Sequence, residues 1–197
     1  FGNSIARNQI IDYTRQCDAD YVLFMDGDIE IVPFSSFAML RYMENNGSKL
    51  GCIGADSAWQ TLERSRASAC LYTIDGCKLD TTNLVAWTQY GMFRRAVFED
   101  GCRFDENAPF NQAGWGFEDN DLAFQMEMKG YLNQRFFGMM YLHRAARSSI
   151  RIMYEQGIDP VSRYAQRKQY VIDKWASVPQ INNDPLVYVR RVSMPQK

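Results

Sequence analysis

Tyr21-Val22-Leu23-Phe24-Met25-Asp26-Gly27-Asp28 is the stretch on which the fold turns. Five apolar residues in a row read as a buried strand, and two carboxylates follow directly at its C-terminal end. Open α/β sheets take their ligands outside the carboxyl ends of their strands, so a site is expected there. Upstream, Ser4 is placed to cap a helix reaching about Cys17, with Ile5, Ile10, Ile11 and Tyr13 supplying much of its apolar face. Downstream, Pro33 and Ser35-Ser36 open a helix over 37–43 that Asn45-Asn46-Gly47 stops.

Farther along, short strands are expected at 51–55, 68–74 and 84–90, a short helix at 94–100 and an irregular loop over 101–112. A helix over 118–129 should end at Gly130, and 134–142 reads as an apolar strand closing on His143. A helix over 161–175 precedes a segment marked by Pro and Asn at 179–185. Strands alternating with helices give the α/β class, with a mixed sheet flanked by helices.

The bulk properties narrow the function. A chain of 197 residues suits one domain. A formal charge of −1 gives no electrostatic case for nucleic acid or an anionic membrane. No apolar stretch approaches the roughly 18 residues of a membrane span, so no transmembrane segment is expected. Five cysteines without a CxxC pair leave one unpaired, which favours small core residues in a reducing compartment. A Cys70–Cys77 disulfide stays open as an alternative. The expected location is cytoplasmic, or peripheral to a membrane. The chain opens on Phe1 and enters a helical pattern at once, so a trimmed chain is also expected.

Two motifs carry chemistry. Asp26 and Asp28 offer hard oxygen donors suited to Mg²⁺ or Mn²⁺, and Gly27 between them leaves room for a ligand near the backbone. An isolated Asp-x-Asp is more often a polar turn. The single histidine, His143, ends its strand much as Asp26 ends the first, so the two are expected at one sheet edge. An imidazole beside carboxylates would favour Mn²⁺. The second motif is Gly114-Trp115-Gly116-Phe117-Glu118-Asp119-Asn120-Asp121-Leu122. Acids in a first helical turn are ordinary, because the helix dipole favours them. A Trp between two glycines just before them is not ordinary. It offers a flat face to a sugar or base, beside a carboxylate able to deprotonate a hydroxyl.

Taken in order, these residues resemble metal-dependent glycosyltransferases of the GT-A fold. The chain is similar to family-2-like inverting enzymes and, over its second half, to the β-1,4-galactosyltransferase group. Ser4-Ile5-Ala6-Arg7-Asn8 with the strand to Asp28 resembles one family segment. Tyr90-Gly91-Met92-Phe93-Arg94-Arg95, then Phe98, Gly101 and Phe104-Asp105-Glu106, resembles another. The Gly114 to Leu122 stretch is similar to the "GWGxEDxDL" signature. Met140-Tyr141-Leu142-His143 has the Met-x-x-His spacing of the galactosyltransferase metal ligands. The resemblance covers about 4–143.

It implies a GT-A-like, Rossmann-like mixed sheet that lacks the usual N-terminal nucleotide-binding βα units. Residues 1–145 would form the catalytic part and 146–197 a C-terminal helical appendage of the same domain. Asp28, with His143 and Asp26, would bind Mn²⁺ or Mg²⁺, and Met140 is either a third ligand or a core residue. Asp119 would be the general base, with Glu118 orienting the acceptor. Asp26, Gly91, Trp115, Gly116 and Arg7 would contact substrate, although Arg7 reads nearly as well as a helical surface charge. The implied partners are a nucleotide-diphosphate sugar donor and a carbohydrate or glycoconjugate acceptor. Two rivals stand beside this reading: a haloacid-dehalogenase-like phosphatase with Asp26 as nucleophile, and a non-catalytic sugar- or cation-binding remnant. Arg144, Arg147 and Arg151 are either diphosphate contacts or a solvated basic face.

Overall fold

The computed structural model describes residues 3–31, 33–59, 78–81, 88–107, 109–112, 116–143 and 152–177, with backbone alone at 56–59, 78–81, 135–140, 142 and 143. Its strands are β1 (Tyr21–Met25), β2 (Ile29–Glu30), β3 (Leu50–Trp59), β4 (Lys78–Thr81), β5 (Tyr90–Arg94) and β6 (Leu132–His143). Its helices are α1 (Asn3–Thr14), α2 (Ser35–Asn45), α3 (Arg95–Glu99), α4 (Glu118–Met128) and α5 (Pro160–Trp175). The protein is therefore α/β, as expected.

The sheet is mixed and runs β1-β5-β3-β6-β2, with β4 also paired to β6. β3 and β6 are parallel, and the other pairings are antiparallel. The far edge of β6 is shared along its length. β4 takes 134–137, and β2 takes the end, where Ile29 is in register with His143.

Among the described residues, two apolar clusters fix helices on the sheet and a third joins helices beyond it. On one face, Ile11 of α1 and Leu122, Ala123 and Met126 of α4 pack with Phe24, Phe93 and Phe98. Phe24 meets Phe93, Phe98 and Phe104 edge-on, with ring centroids at 5.4, 6.1 and 5.7 Å. Full burial of each such ring contributes roughly 1.5–3 kcal/mol. On the opposite face, Met39 and Met43 of α2 cover Ile53, Tyr90, Met92 and Tyr141. Arg94, ending β5, donates to the carbonyls of Met43 and Asn46 and so closes the C-terminal end of α2. The third cluster lies outside the sheet, where Val171, Ile172 and Trp175 of α5 pack on Phe110, Phe117 and Phe124. α5 is thereby an outer layer on α4.

Several expectations need correction. Ser4 does not cap α1. The helix begins at Asn3, and Ser4 is buried in its first turn. The buried stripe of α1 is Ser4, Asn8 and Ile11, while Ile10 and Tyr13 are 46% and 66% exposed. A polar stripe defeats a search for apolar periodicity. Asn8 explains its burial by donating to the Phe104 carbonyl at 2.8 Å and accepting from the Phe104 amide at 3.0 Å. The run 21–25 is not buried throughout. β1 lies at the sheet edge; Val22 and Phe24 are buried, Tyr21 packs half-buried against the opposite cluster, and Met25 is 54% exposed. Of the strand expected at 84–90, residues 84–87 lie outside the described residues, 88–89 form a turn, and Tyr90 opens a strand that runs to Arg94. Gly91 sits inside that strand, between Phe24 of β1 and Gly54 of β3. The two-residue β2 and the four-residue β4 were not anticipated, because both are held by pairing to β6 rather than by any pattern of their own. Cys17, Cys52 and Cys102 are thiols outside any disulfide, the last two buried. The strand at 68–74, the Cys70–Cys77 pair and the segment 179–185 lie outside the described residues.

Candidate active site

Two chain segments far apart in sequence supply the site. β1 delivers Asp26 at its C-terminal end, where the Asp26 amide donates to the Gln89 carbonyl at 2.9 Å and extends the ladder by one residue. α4 delivers Glu118 and Asp119 in its first turn. Phe117 precedes them as the N-cap in the left-handed conformation at φ +68°, and its own side chain makes no capping hydrogen bond. The carboxylates there face the positive end of the helix dipole.

Arg7 joins the two. From α1 its guanidinium reaches Asp26 Oδ1 at 3.5 Å, Glu118 Oε1 at 3.3 Å and Asp119 Oδ1 at 3.3 Å. It also lies over the Phe104 ring, 5.3 Å from the centroid. Burial opposes the Arg7 charge, but Asp119, Glu118 and Asp26 together outweigh it and leave its pKa above the ordinary value. Arg7 is therefore not a helical surface charge. Thr88, in the turn before β5, donates its hydroxyl to Asp119 Oδ1.

Asp119 is strongly perturbed. Burial raises its pKa most, Arg7 and the Thr88 hydroxyl lower it, and the Glu118 and Asp26 charges raise it. The outcome is about 7. Its side chain remains 19% exposed, so the carboxylate is desolvated yet reachable. A carboxylate near neutral pKa is suited to accept a proton at physiological pH.

Glu118 is buried and held from both sides. Arg7 takes one oxygen, and Arg167 of α5 approaches Oε2 at 3.3 Å. Farther along α4, Asp121 accepts from Trp175 Nε1 at 2.8 Å and pairs with Lys174 at 2.8 Å. Lys174 also reaches Asp105 at 2.6 Å, beside the Tyr170 hydroxyl at 2.8 Å. The lysine is disfavoured by burial, but the two aspartates raise its pKa overall.

Gly116 is shaped by α5 as well. Its φ is +93°, and a Cβ there would lie 2.8 Å from Tyr164 Cε2. Gly116→Ala is expected to destabilise the protein by about 1–3 kcal/mol in urea unfolding. Adding Tyr164→Ala should remove the steric part of the defect and leave the backbone part.

For the Asp-x-Asp, a Cβ at Gly27 would meet nothing within 4 Å, so that side of the turn is open. Pairing of Ile29 with His143 brings the end of β6 alongside the segment that follows Asp28, while β5 and β3 lie between β6 and the strand that ends at Asp26. The His143 and Met140 side chains lie outside the described atoms. Among the described residues no cluster of at least three His, Cys, Asp or Glu side chains stands ready for a metal. Trp115, Gly114, Arg144, Arg147 and Arg151 lie outside the described residues.

Sequence reading did not find Thr88, Arg167 or Lys174. Arg167 left a signal, since it falls on the apolar stripe of α5 with Tyr164, Val171 and Trp175. A charge on such a stripe must find a buried partner. Among the described residues, no helix is long and apolar enough to cross a membrane. No protein-family model matches the chain, and no curated protein matches it significantly.

Proposed function

We propose that the protein is a metal-dependent glycosyltransferase of the GT-A type, moving a sugar from a nucleotide-diphosphate donor to an acceptor hydroxyl with inversion. One observation carries the reading. Arg7 joins Asp26, at the strand end, to Glu118 and Asp119, at the helix start, so both acidic motifs belong to one site. The α/β class and the mixed sheet agree with it.

The division of labour follows from the surroundings of each group. Asp28, Asp26 and His143 are the residues that would hold Mn²⁺ or Mg²⁺, whose chemistry when bound is to neutralise a leaving diphosphate. The acidic turn with its open side at Gly27 fits that use. At the other end, Asp119 accepts the proton of the acceptor hydroxyl as its oxygen attacks the anomeric carbon. Glu118, held between the Arg7 and Arg167 guanidinium groups, orients the acceptor. Arg7 restrains the rise in the Asp119 pKa by holding a positive charge 3.3 Å away. Thr88 fixes the carboxylate by its hydrogen bond.

Nucleotide sugars should raise the unfolding temperature, and do so more strongly with Mn²⁺ present. At a ligand concentration 100-fold above Kd the stabilisation should reach about 2.7 kcal/mol. Transfer to an acceptor, or slow donor hydrolysis, should accompany it. If nucleotide sugars bind but are neither transferred nor hydrolysed, the chain is a binding module. If none binds with or without Mn²⁺ and beryllofluoride forms a stable adduct at Asp26, the phosphatase chemistry takes its place.

A further inference from the structure

We propose that Arg167 of α5 is a positioning residue: it sets the Glu118 carboxylate and, through it, confines Arg7 between Asp26 and Asp119. The inference rests on the transferase reading for its kinetic consequence only. The geometry itself is independent of what the protein acts on.

Arg167 is 1% exposed. Its Nη1 approaches Glu118 Oε2 at 3.3 Å, and its Nη2 donates to the Gln112 carbonyl at 2.9 Å. The guanidinium lies over Phe110, 5.3 Å from the ring centroid. Its Nε has no hydrogen-bond partner among the described residues. Burial pulls the Arg167 pKa below its ordinary value, and Glu118 opposes that pull. Such a residue is a poor choice for merely attaching a helix, because an apolar side chain of similar volume would do so without the desolvation cost.

Attachment is already provided elsewhere on α5. Val171, Ile172 and Trp175 form the apolar contact, while Tyr170 and Lys174 meet Asp105 and Asp121. Arg167 makes the α5 ion pair to Glu118. Without it, Glu118 would have Arg7 as its remaining cation among the described contacts and would draw it from Asp26 and Asp119. α5 thus acts on the Glu118 carboxylate through Arg167.

The test compares Arg167→Met with Lys174→Met. Both remove a cation that ties α5 down, but only Arg167 touches Glu118. The protein-only readout is the side-chain NMR spectrum of Arg7, its Nε–H shift and its Nη rotation rate. Arg167→Met should change both, Lys174→Met should leave both near wild type, and Arg167→Lys should recover part of the change. On transfer of a nucleotide sugar, Arg167→Met should lower kcat by about 10- to 100-fold, with KM within about threefold, as expected for a displaced orienting group. An unchanged Arg7 spectrum in Arg167→Met, or an equal change in Lys174→Met, overturns the proposal and leaves Arg167 as a helix anchor. If the wild type transfers nothing, the transferase reading fails, while the Arg7 spectrum still decides the positioning role. Should Arg167→Met not fold, the contrast between Arg167→Lys and Lys174→Met carries the same decision.

Discussion

Asp119→Asn is expected to slow turnover by orders of magnitude and at the same time to stabilise the folded protein above neutral pH. The unfolded carboxyl has a pKa of about 3.9, and the folded one is pushed up to about 7. Between these values the folded state holds a proton that the unfolded state has released. Wild-type stability therefore falls as pH rises from about 4 to 7. Asn resembles the protonated acid and is spared that loss. Its advantage should be small below about pH 4, grow through the window, and approach 4 kcal/mol above pH 7, from about three pK units at 1.36 kcal/mol each. Urea unfolding of both proteins at pH 4 and pH 8 measures it. Loss of the base should reduce kcat by about 10²–10⁴. A variant that is less stable than wild type at pH 8 would show that burial does not govern Asp119. A stable but inactive variant is the usual signature of a site held at the expense of the fold.

The second large effect is expected at Arg7. Arg7→Met removes the shared cation of three carboxylates and should destabilise the protein by about 3–5 kcal/mol, because it leaves buried negative charge uncompensated. The defect should depend on pH. Arg7 is what holds the Asp119 pKa down, so its loss moves that pKa farther above 7. A group whose folded pKa is raised loses stability as pH rises, so the variant should be worst at pH 8 and partly recovered at pH 5. Arg7→Lys keeps the charge but cannot reach three carboxylates with one rigid fork, and should fall between. A loss below about 1 kcal/mol at pH 8 would mean that the cluster is solvated and Arg7 incidental.

The elements were legible to different degrees, for reasons that lie in particular residues. α2, α4, α5 and β6 were readable because their signals are local: turn residues at the ends and apolar stretches between them. β5 from Gly91 to Arg94 was missed, because Gly91 interrupts the apolar run and the partners that hold it, β1 and β3, cannot be seen along the chain. α1 was found, but its inner face was misjudged. The face buries Ser4 and Asn8, whose reason for burial is the loop carrying Phe104, 96 residues after Asn8.

The same division applies to the site. By itself, the sequence determined which carboxylates are available, and it set Asp26 at a strand end and Glu118 and Asp119 at a helix start. Those are consequences of short-range periodicity and capping, complete within a dozen residues. Only the tertiary structure decided that Arg7 connects them, that Thr88 reaches Asp119, and that α5 places Arg167 on Glu118. Electrostatic energy depends on distance and on burial, and neither exists until the sheet and its helices have assembled. An aspartate with a pKa near 7 is thus a property of the fold, while the aspartate itself is a property of the chain.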